Sequence, residues 1–335
     1  MKFAKHRKRG VMLLSIAFIM VISIYLHWSH YQKVEQLDNT KQLKVFTPDW
    51  GVGATLVAMS HPPIAIGDKK KYPTWVDNPK LPKQMVDLGT RGQPNVELLA
   101  QLHPNLILDT FYYKENRAVY DPSIPVYDID FGIEDNKAGQ EKTWTPFIKA
   151  TQKIGMLLNN PQQAQHYIDN SKQRIIKAGK IVRQHIGNKK VLVVSFWDAR
   201  QLDIKTKNSH TTLALKTMGL NILDIDGGTR WGVTSVPMHI LFELPDDICL
   251  IIEEPIPEMV KYDFAHSPLW QHTPFFRPDA CVYTIDPVWS NGGIEVLVTF
   301  AENLEKAVTS QQQNEFSNKY ATQNSSNSSS KKGGE

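Results

Sequence analysis

One arginine, Arg91, stands in a predicted turn between two strand-like segments, within DLGTRGQPNVELLAQLHPNLILDT. Its guanidinium is a planar fork of N–H donors that stays protonated, so it suits oxygen acceptors on a ligand, unless it is only a solvated turn residue. Aromatic residues are the second conspicuous type, because the chain has eight tryptophans and Trp231 stands in a predicted turn between Arg230 and Gly232. Aromatic walls with a few fixed donors fit a bulky ligand that has an apolar surface and polarised oxygens.

The residue patterns of catalysis and of metal binding are missing from the sequence. It contains no P-loop, G-x-S-x-G, H-E-x-x-H or C-x-x-C motif, and its eleven histidines are scattered. We interpret His210 as a hydrogen-bonding neighbour of the site and not as a metal ligand. The sequence therefore predicts a protein that is not an enzyme and has no cofactor.

One segment supports a weaker alternative, a dinucleotide-binding oxidoreductase. GVGATL, residues 51–56, follows a strand and precedes a helix, and Asp68 ends the next strand, as in a dinucleotide-binding βαβ unit. Leu56 replaces the third glycine of that motif, which argues against this interpretation.

Strand-like segments alternate with amphipathic segments in two sets, which begin near LKVFTP and KKVLVVSF. Such alternation is typical of parallel sheets with helices on their faces. Between the sets, residues 160–187 predict one long helix, with Asn160 as its cap, Pro161 in its first turn and Gly187 at its end. We predict an α/β fold of two lobes with mainly parallel sheets, joined by this helix.

The predicted helix has an apolar face along its whole length. That face consists of Ala164, Tyr167, Ile168, Ser171, Ile175, Ala178, Ile181 and Val182. At about 1.5 Å per residue the helix would be roughly 40 Å long. A bridge of that length predicts lobes held at a nearly fixed angle, with a permanent cleft between them.

The two ends of the chain differ from its interior. A basic start, MKFAKHRKRG, and the apolar run VMLLSIAFIMVISIYL predict an export signal or, if it is not cleaved, an N-terminal membrane anchor; we favour cleavage. The polar end QNSSNSSSKKGGE predicts a disordered tail. The predicted divisions are the signal or anchor at 1–36, the N-terminal lobe at 37–159, the bridging helix at 160–187, the C-terminal lobe at 188–310 and the tail at 311–335.

Charge and cysteine content limit the partners and the covalent structure. The net charge of +4 is small for 335 residues, and many basic residues are at the N-terminus, so no nucleic-acid partner is expected. Cys249 and Cys281 each lie in a strand-like apolar segment. We favour buried thiols over a disulfide, because the sequence does not place their Cα atoms.

Five segments, taken together, resemble one protein family. They are YPTWVDNPKLPKQMVDLGTRGQPNVELLAQLHPNLIL, KNS at 207–209, RWGVTSV at 230–236, SPLWQHTPFFR at 267–277 and VW at 288–289. In this order they resemble the periplasmic ferric-hydroxamate (ferrichrome) binding proteins, helix-bridged substrate-binding proteins of ABC importers. The resemblance extends from about Lys44 to Leu304. It implies a monomer that binds a ferric hydroxamate siderophore between its lobes and delivers it to an inner-membrane permease.

The resemblance also implies roles for individual residues. Arg91 and Tyr113 would donate hydrogen bonds to the iron-bound oxygens, and the iron would arrive already chelated, so that no metal ligands come from the protein. The residues implied to line the cleft are the tryptophans Trp231, Trp75, Trp50 and Trp289 and the polar residues Asn208 and Thr234. A catecholate siderophore, cobalamin or haem remains an alternative ligand. A triply anionic ferric catecholate would favour several converging cations, and Arg230 beside Trp231 could be one of them.

Docking to the permease is implied to use one acidic residue on each lobe. Glu97 matches the first of these positions. The second falls at His239, which is not acidic at neutral pH. Glu243, one helical turn further on, is the expected substitute.

Overall fold

The computed structural model describes residues 43–310 except 77, 246 and 278. From Lys44 onward these residues belong to one compact unit. The predicted export or anchor segment and the predicted tail lie outside the described residues. No helix within the described part combines the length and the apolar character that crossing a bilayer requires.

The N-terminal lobe is built on a five-stranded sheet with the order β3-β2-β1-β4-β5, in which every pairing is parallel. Its strands are β1 (Val45–Thr47), β2 (Ala65–Ile66), β3 (Val86–Asp87), β4 (Leu106–Asp109) and β5 (Val126–Asp128). Its helices are α1 (Trp50–Ala58), α2 (Tyr72–Trp75), α3 (Val96–Leu102) and the 3-10 helix Phe111–Val119. Because parallel strands end at the same edge, the loops after β1, β3 and β4 meet there.

Two helices follow the first lobe, α4 (Thr145–Leu157) and the long α5 (Pro161–Ile186). The side chain of Asn160 accepts a hydrogen bond from the backbone N–H of Gln163 at 3.1 Å, and Gly187 ends the helix with a φ of 63°. The predicted apolar face is buried except for Ile181, which is partly exposed, and Gly179 and Ile186 are buried as well. The prediction of one long helix is confirmed.

The C-terminal lobe has a second five-stranded sheet with the order β10-β9-β6-β7-β8. Its strands are β6 (Lys190–Phe196), β7 (Gln201–Lys205), β8 (Val233–Pro237), β9 (Ile248–Glu253) and β10 (Cys281–Ile285). Its helices are α6 (His210–Thr217), α7 (Glu258–His266), α8 (Pro268–Gln271) and α9 (Ile294–Ser310), with 3-10 helices at Met238–Phe242 and Pro274–Phe276.

Strand direction differs between the two halves of this second sheet. Strands β10, β9 and β6 are parallel, whereas β6, β7 and β8 are antiparallel neighbours. Residues 197–200 are too short for a parallel crossover, so β7 has to run back along β6. The prediction of an α/β fold with mainly parallel sheets is confirmed, and the antiparallel edge is an addition to it.

The structure corrects the prediction for the two cysteines. Cys249 and Cys281 occupy paired positions on the neighbouring strands β9 and β10, and their Cα atoms are 4.6 Å apart. This separation is within the range of a disulfide, and the two residues form one. The sequence alone does not show which strands are neighbours, so it could not bring the two cysteines together.

Candidate functional site

A cavity of about 260 Å³ lies between the two lobes. It is lined by Asp49, Arg91, Tyr112 and Tyr113 from the N-terminal lobe and by Trp231, Trp289 and Asn291 from the C-terminal lobe. The structure therefore brings together four of the predicted ligand residues, Arg91, Tyr113, Trp231 and Trp289.

Arg91 lies in the turn after β3, against the aromatic floor of the cavity. Its backbone N–H donates to Asp68 Oδ2 at 3.1 Å, and its Nε is 3.5 Å from the same oxygen. The guanidinium carbon is 3.7 Å from the ring centre of Trp50 and 5.1 Å from that of Trp289. Stacking on indole rings holds the guanidinium plane in position. Nε is buried and has no hydrogen-bond acceptor among the described residues.

Trp50 corrects the prediction that it lines the cavity. Only 1% of it is exposed, and its Nε1 donates to the Gly67 carbonyl at 2.9 Å. Its ring packs edge to face on Trp289 with centroids 5.0 Å apart. As the first residue of α1, Trp50 points into the lobe. It therefore supports Arg91 and Trp289 from beneath the cavity instead of facing a ligand.

Two tyrosines, Tyr112 and Tyr113, lie in the first turn of the 3-10 helix that follows β4. Tyr113 is buried, whereas Tyr112 is 39% exposed and stacks on Trp231 of the other lobe, with centroids 5.6 Å apart. Burial, reinforced by the nearby Asp49 carboxyl, raises the pKa of both phenols above the usual value. Both hydroxyls therefore stay protonated at neutral pH, and each can donate a hydrogen bond.

Asp49 caps α1 and forms part of the cavity wall. Its Oδ1 accepts from the Val52 N–H at 3.0 Å, and its Oδ2 accepts from the Thr110 hydroxyl at 3.2 Å. Burial raises the pKa of this carboxyl above its usual value. The sequence analysis missed Asp49, although its place between a strand and a helix marks it as a cap.

Contacts with residues 134–136 hold the loop that carries Trp231. Arg230 Nη2 donates to the Glu134 carbonyl at 2.6 Å, and Asn136 Nδ2 donates to the Arg230 carbonyl at 2.7 Å. Trp231 itself remains 38% exposed. The indole is thus presented at the cavity by an anchored backbone.

Three further predicted ligand residues lie outside the cavity lining. Asn208 is fully buried; its Oδ1 accepts from Thr206 Oγ1 at 2.7 Å and its Nδ2 donates to the Thr229 carbonyl at 2.9 Å. Both ends of its amide are therefore occupied by contacts that shape the Trp231 loop, and the predicted ligand contact is not available in this arrangement. Trp75 is 44% exposed on α2, and Thr234 lies on β8.

His210 is a buried hydrogen-bonding residue, as predicted. Its Nε2 lies 3.1 Å from the Gly292 carbonyl, and burial, together with the positive charge of Lys142, holds its pKa well below the usual value. The described residues include no group of three or more His, Cys, Asp or Glu side chains that could hold a metal ion.

The glycine-rich segment of the oxidoreductase alternative has a packing role. It lies within α1, and a Cβ on Gly51 would be 2.5 Å from Gly292 Cα. Gly51 therefore permits close contact between α1 and the loop before α9.

The two predicted docking carboxylates are exposed, one on each lobe. Glu97 is in the first turn of α3. Glu243 follows the 3-10 helix Met238–Phe242, and its Oε1 is 3.9 Å from His239 Nε2.

Comparison with known proteins relates this chain to a protein family. The family model described as periplasmic binding protein matches residues 46–288. The iron(3+)-hydroxamate-binding protein FhuD of Escherichia coli (strain K12) is 23% identical over 268 residues, which cover 79% of this chain and 86% of that protein.

Solved structures show the same fold. The siderophore-binding protein FhuD from Vibrio cholerae, solved with Fe3+-Desferal, has a TM-score of 0.70 at 22% identity, over 81% of this chain and 99% of that one. FhuD2 from Staphylococcus aureus with ferrioxamine B has a TM-score of 0.58 at 14% identity, over 80% of this chain and 98% of that one. With the family model matching most of its length, the chain belongs to the periplasmic binding protein family.

Proposed function

We propose that this protein captures ferric hydroxamate siderophores in the cavity between its lobes and delivers them to an ABC importer. The observation that carries the proposal is Arg91, a fixed cation stacked on indole at the wall of that cavity. It functions as a binding protein, without a catalytic step or a cofactor.

The chemistry of the ligand fits this wall. A ferric ion bound by three hydroxamates forms a core without net charge, whose polarised oxygens are surrounded by an apolar skirt. Arg91 and Tyr113 supply donors for the oxygens, and Trp231 and Trp289 supply aromatic surface for the skirt.

The relatives support this ligand class. The Escherichia coli protein is an iron(3+)-hydroxamate-binding protein, and the Vibrio cholerae structure is of a siderophore-binding protein with bound Fe3+-Desferal. The catecholate alternative depended on Arg230. Its guanidinium donates to the Glu134 carbonyl, and the residue is not part of the cavity lining.

The cavity has to widen to admit such a ligand. Drug-sized ligands occupy pockets of roughly 300 to 1,000 Å³, whereas this cavity measures about 260 Å³. The stacked rings of Tyr112 and Trp231 join the two lobes at the cavity. Entry of the chelate therefore requires these rings to separate.

A periplasmic location is supported by the disulfide between Cys249 and Cys281, because disulfides persist in oxidising compartments and are rare in the cytosol. The export-like N-terminal sequence supports the same location, with tethering to the inner membrane if that segment is retained. The protein acts there as a monomer.

Delivery to the permease uses the exposed Glu97 and Glu243. Their positions on different lobes let one partner contact both lobes at once. Basic residues on the permease are the expected counterparts.

A titration with a panel of ligands tests the proposal. Ferrichrome and ferrioxamine B should quench tryptophan fluorescence at micromolar concentration or below, because Trp231 and Trp289 lie at the cavity. Ferric enterobactin, cobalamin and haem should not. Quenching by one of the latter at lower concentration than by either hydroxamate would replace the proposed ligand.

A further inference from the structure

The charged side chains of the cavity are balanced. Among the described residues that line it, Arg91 is the one basic residue and Asp49 the one acidic residue, and the others are uncharged. Burial opposes the charged form of Asp49, whereas its hydrogen bonds from Val52 and Thr110 and the nearby Arg91 favour that form. Asp49 is only 4% exposed. A charge that is removed from water in this way is screened weakly, so its field extends into the space that a ligand would occupy.

Asp49 is not neutralised by a direct ion pair. Its carboxylate oxygens accept hydrogen bonds from the Val52 N–H and the Thr110 hydroxyl, and no described lysine or arginine forms a salt bridge with it. The nearby guanidinium of Arg91 is closer to another carboxylate, because its Nε lies 3.5 Å from Asp68 Oδ2.

The effect of Asp49 reaches the groups that would contact a ligand. Burial is the main cause of the raised pKa values of Tyr112 and Tyr113, and the negative charge of Asp49 is the next contribution to both. The carboxylate therefore acts on two tyrosines that line the cavity. An anionic ligand in that position would experience the same repulsion.

We infer that Asp49 is a specificity-determining residue, which restricts this cavity to metal chelates whose core carries no net negative charge. The inference rests on the proposed function and extends it from a class of ligand to a charge rule. Arg91 by itself would attract any chelate with exposed oxygens, including a trianionic tris-catecholate. The negative charge of Asp49 offsets that attraction, whereas a tris-hydroxamate core without net charge interacts only weakly with either charge.

Asp49→Asn removes the charge and keeps the shape. Asparagine is as good a helix cap as aspartate, its Oδ1 can accept from Val52, and Thr110 can rotate its hydroxyl to suit the new amide. Asp169→Asn is the matched control, since Asp169 is an exposed residue on α5.

The test measures dissociation constants of ferrichrome and ferric enterobactin for the wild-type protein and both variants. In Asp49→Asn, binding of ferric enterobactin should be at least about ten-fold tighter than in the wild type, and its affinity relative to that of ferrichrome should rise by a similar factor. Asp169→Asn should match the wild type for both ligands.

Two outcomes overturn the inference. In the first, Asp49→Asn binds ferric enterobactin no better than the wild type does, including the case in which neither binds it. In the second, Asp49→Asn binds both ferric enterobactin and ferrichrome more tightly than the wild type does, by the same factor. If the wild type binds ferrichrome and either outcome follows, the proposed function stands and only the charge rule falls. A wild type that does not bind ferrichrome removes both.

Discussion

At the scale of single residues, Arg91 is held before any ligand arrives. The ring centre of Trp50 lies 3.7 Å from the guanidinium carbon of Arg91, and the Asp68 carboxylate accepts a hydrogen bond from the Arg91 backbone N–H. A Cβ on Gly67, the residue after β2, would be 2.8 Å from Arg91 Cα. The turn that carries Arg91 can therefore pack here only because residue 67 is glycine. A donor fixed in this way loses little conformational entropy on binding, which favours affinity.

Tyr113 provides the second donor, and its hydroxyl can be removed without changing the ring. Tyr113→Phe should weaken ferrichrome binding roughly five-fold, about 1 kcal/mol, as expected for one neutral hydrogen bond. Fluorescence titration measures the constant. Tyr262→Phe, at an exposed position on α7, is the control and should have no effect. An unchanged constant in Tyr113→Phe would remove this hydroxyl from the set of ligand donors.

Residue type and position in a turn identified Arg91 and Trp231 as candidates, whereas Tyr113 and the other tryptophans were implied by the family resemblance. Depth of burial was not predictable, because it depends on what packs above each side chain. Trp50 and Asn208 are covered by neighbours that are distant in sequence, and both serve the structure beneath the site. Tyr112 was missed because the family resemblance matched its neighbour Tyr113. Asp49 was missed because the sequence shows it only as a helix cap and does not show that it lies at the cavity.

At the scale of elements, the long helix α5 packs closely against the second lobe. A Cβ on Gly179 would lie 2.5 Å from Met218 Cα, a backbone atom that cannot easily move. The helix therefore approaches the end of α6 only because residue 179 has no side chain. This contact is one of those that join α5 to the C-terminal lobe.

Gly179→Ala tests this contact. Alanine favours an isolated helix by about 1 kcal/mol, but overpacking costs typically 1 to 3 kcal/mol, so we expect the free energy of unfolding to fall by about 1 kcal/mol. Urea denaturation measures the change. Asn170→Ala, on the exposed face of the same helix, is the control and should raise the free energy of unfolding slightly. A more stable Gly179→Ala would show that the contact is not tight.

Elements with strong local signals were predictable, and those set by pairing were not. Asn160, Pro161 and the apolar spacing identify α5 from sequence. The antiparallel edge of the second sheet and the disulfide depend on which strands become neighbours. Cys249 and Cys281 are 32 residues apart in sequence, and only the pairing of β9 with β10 brings them together.

At the scale of the whole molecule, His210 connects three parts of the fold. It begins α6, its Nε2 lies 3.1 Å from the Gly292 carbonyl, and its ring meets Phe147 of α4 edge to face at 4.9 Å. The charged groups near it are Lys142 and Lys205, which add to burial in holding its pKa well below the usual value. Folding therefore keeps this histidine neutral.

This predicts a loss of stability in acid. Below about pH 6.5 this histidine binds a proton in the unfolded state but stays neutral in the folded state. The free energy of unfolding should therefore fall by up to about 1.4 kcal/mol per pH unit between about pH 6.5 and the lower pKa of the folded state. Urea denaturation at two pH values, one on each side of 6.5, measures the slope. His210→Gln should flatten it, whereas exposed His166→Gln should not. Equal slopes in wild type and His210→Gln would contradict the assignment.

Docking also belongs to the whole molecule, since it requires both lobes. Glu97→Arg reverses an exposed charge away from the cavity lining, so ferrichrome affinity should be unchanged while iron uptake by cells that depend on this protein falls. Glu243→Arg should behave in the same way. Normal uptake in both variants would remove the docking role of these carboxylates.

The most direct test of the central claim is the ferrichrome dissociation constant of Arg91→Ala. Loss of a hydrogen bond from a charged donor, about 1.5 to 3 kcal/mol, should weaken binding by roughly ten- to hundred-fold, with the unfolding transition little changed. Arg200→Ala, which removes an exposed arginine outside the cavity lining, should bind as the wild type does. A constant for Arg91→Ala equal to that of the wild type would place the ligand elsewhere and contradict the account.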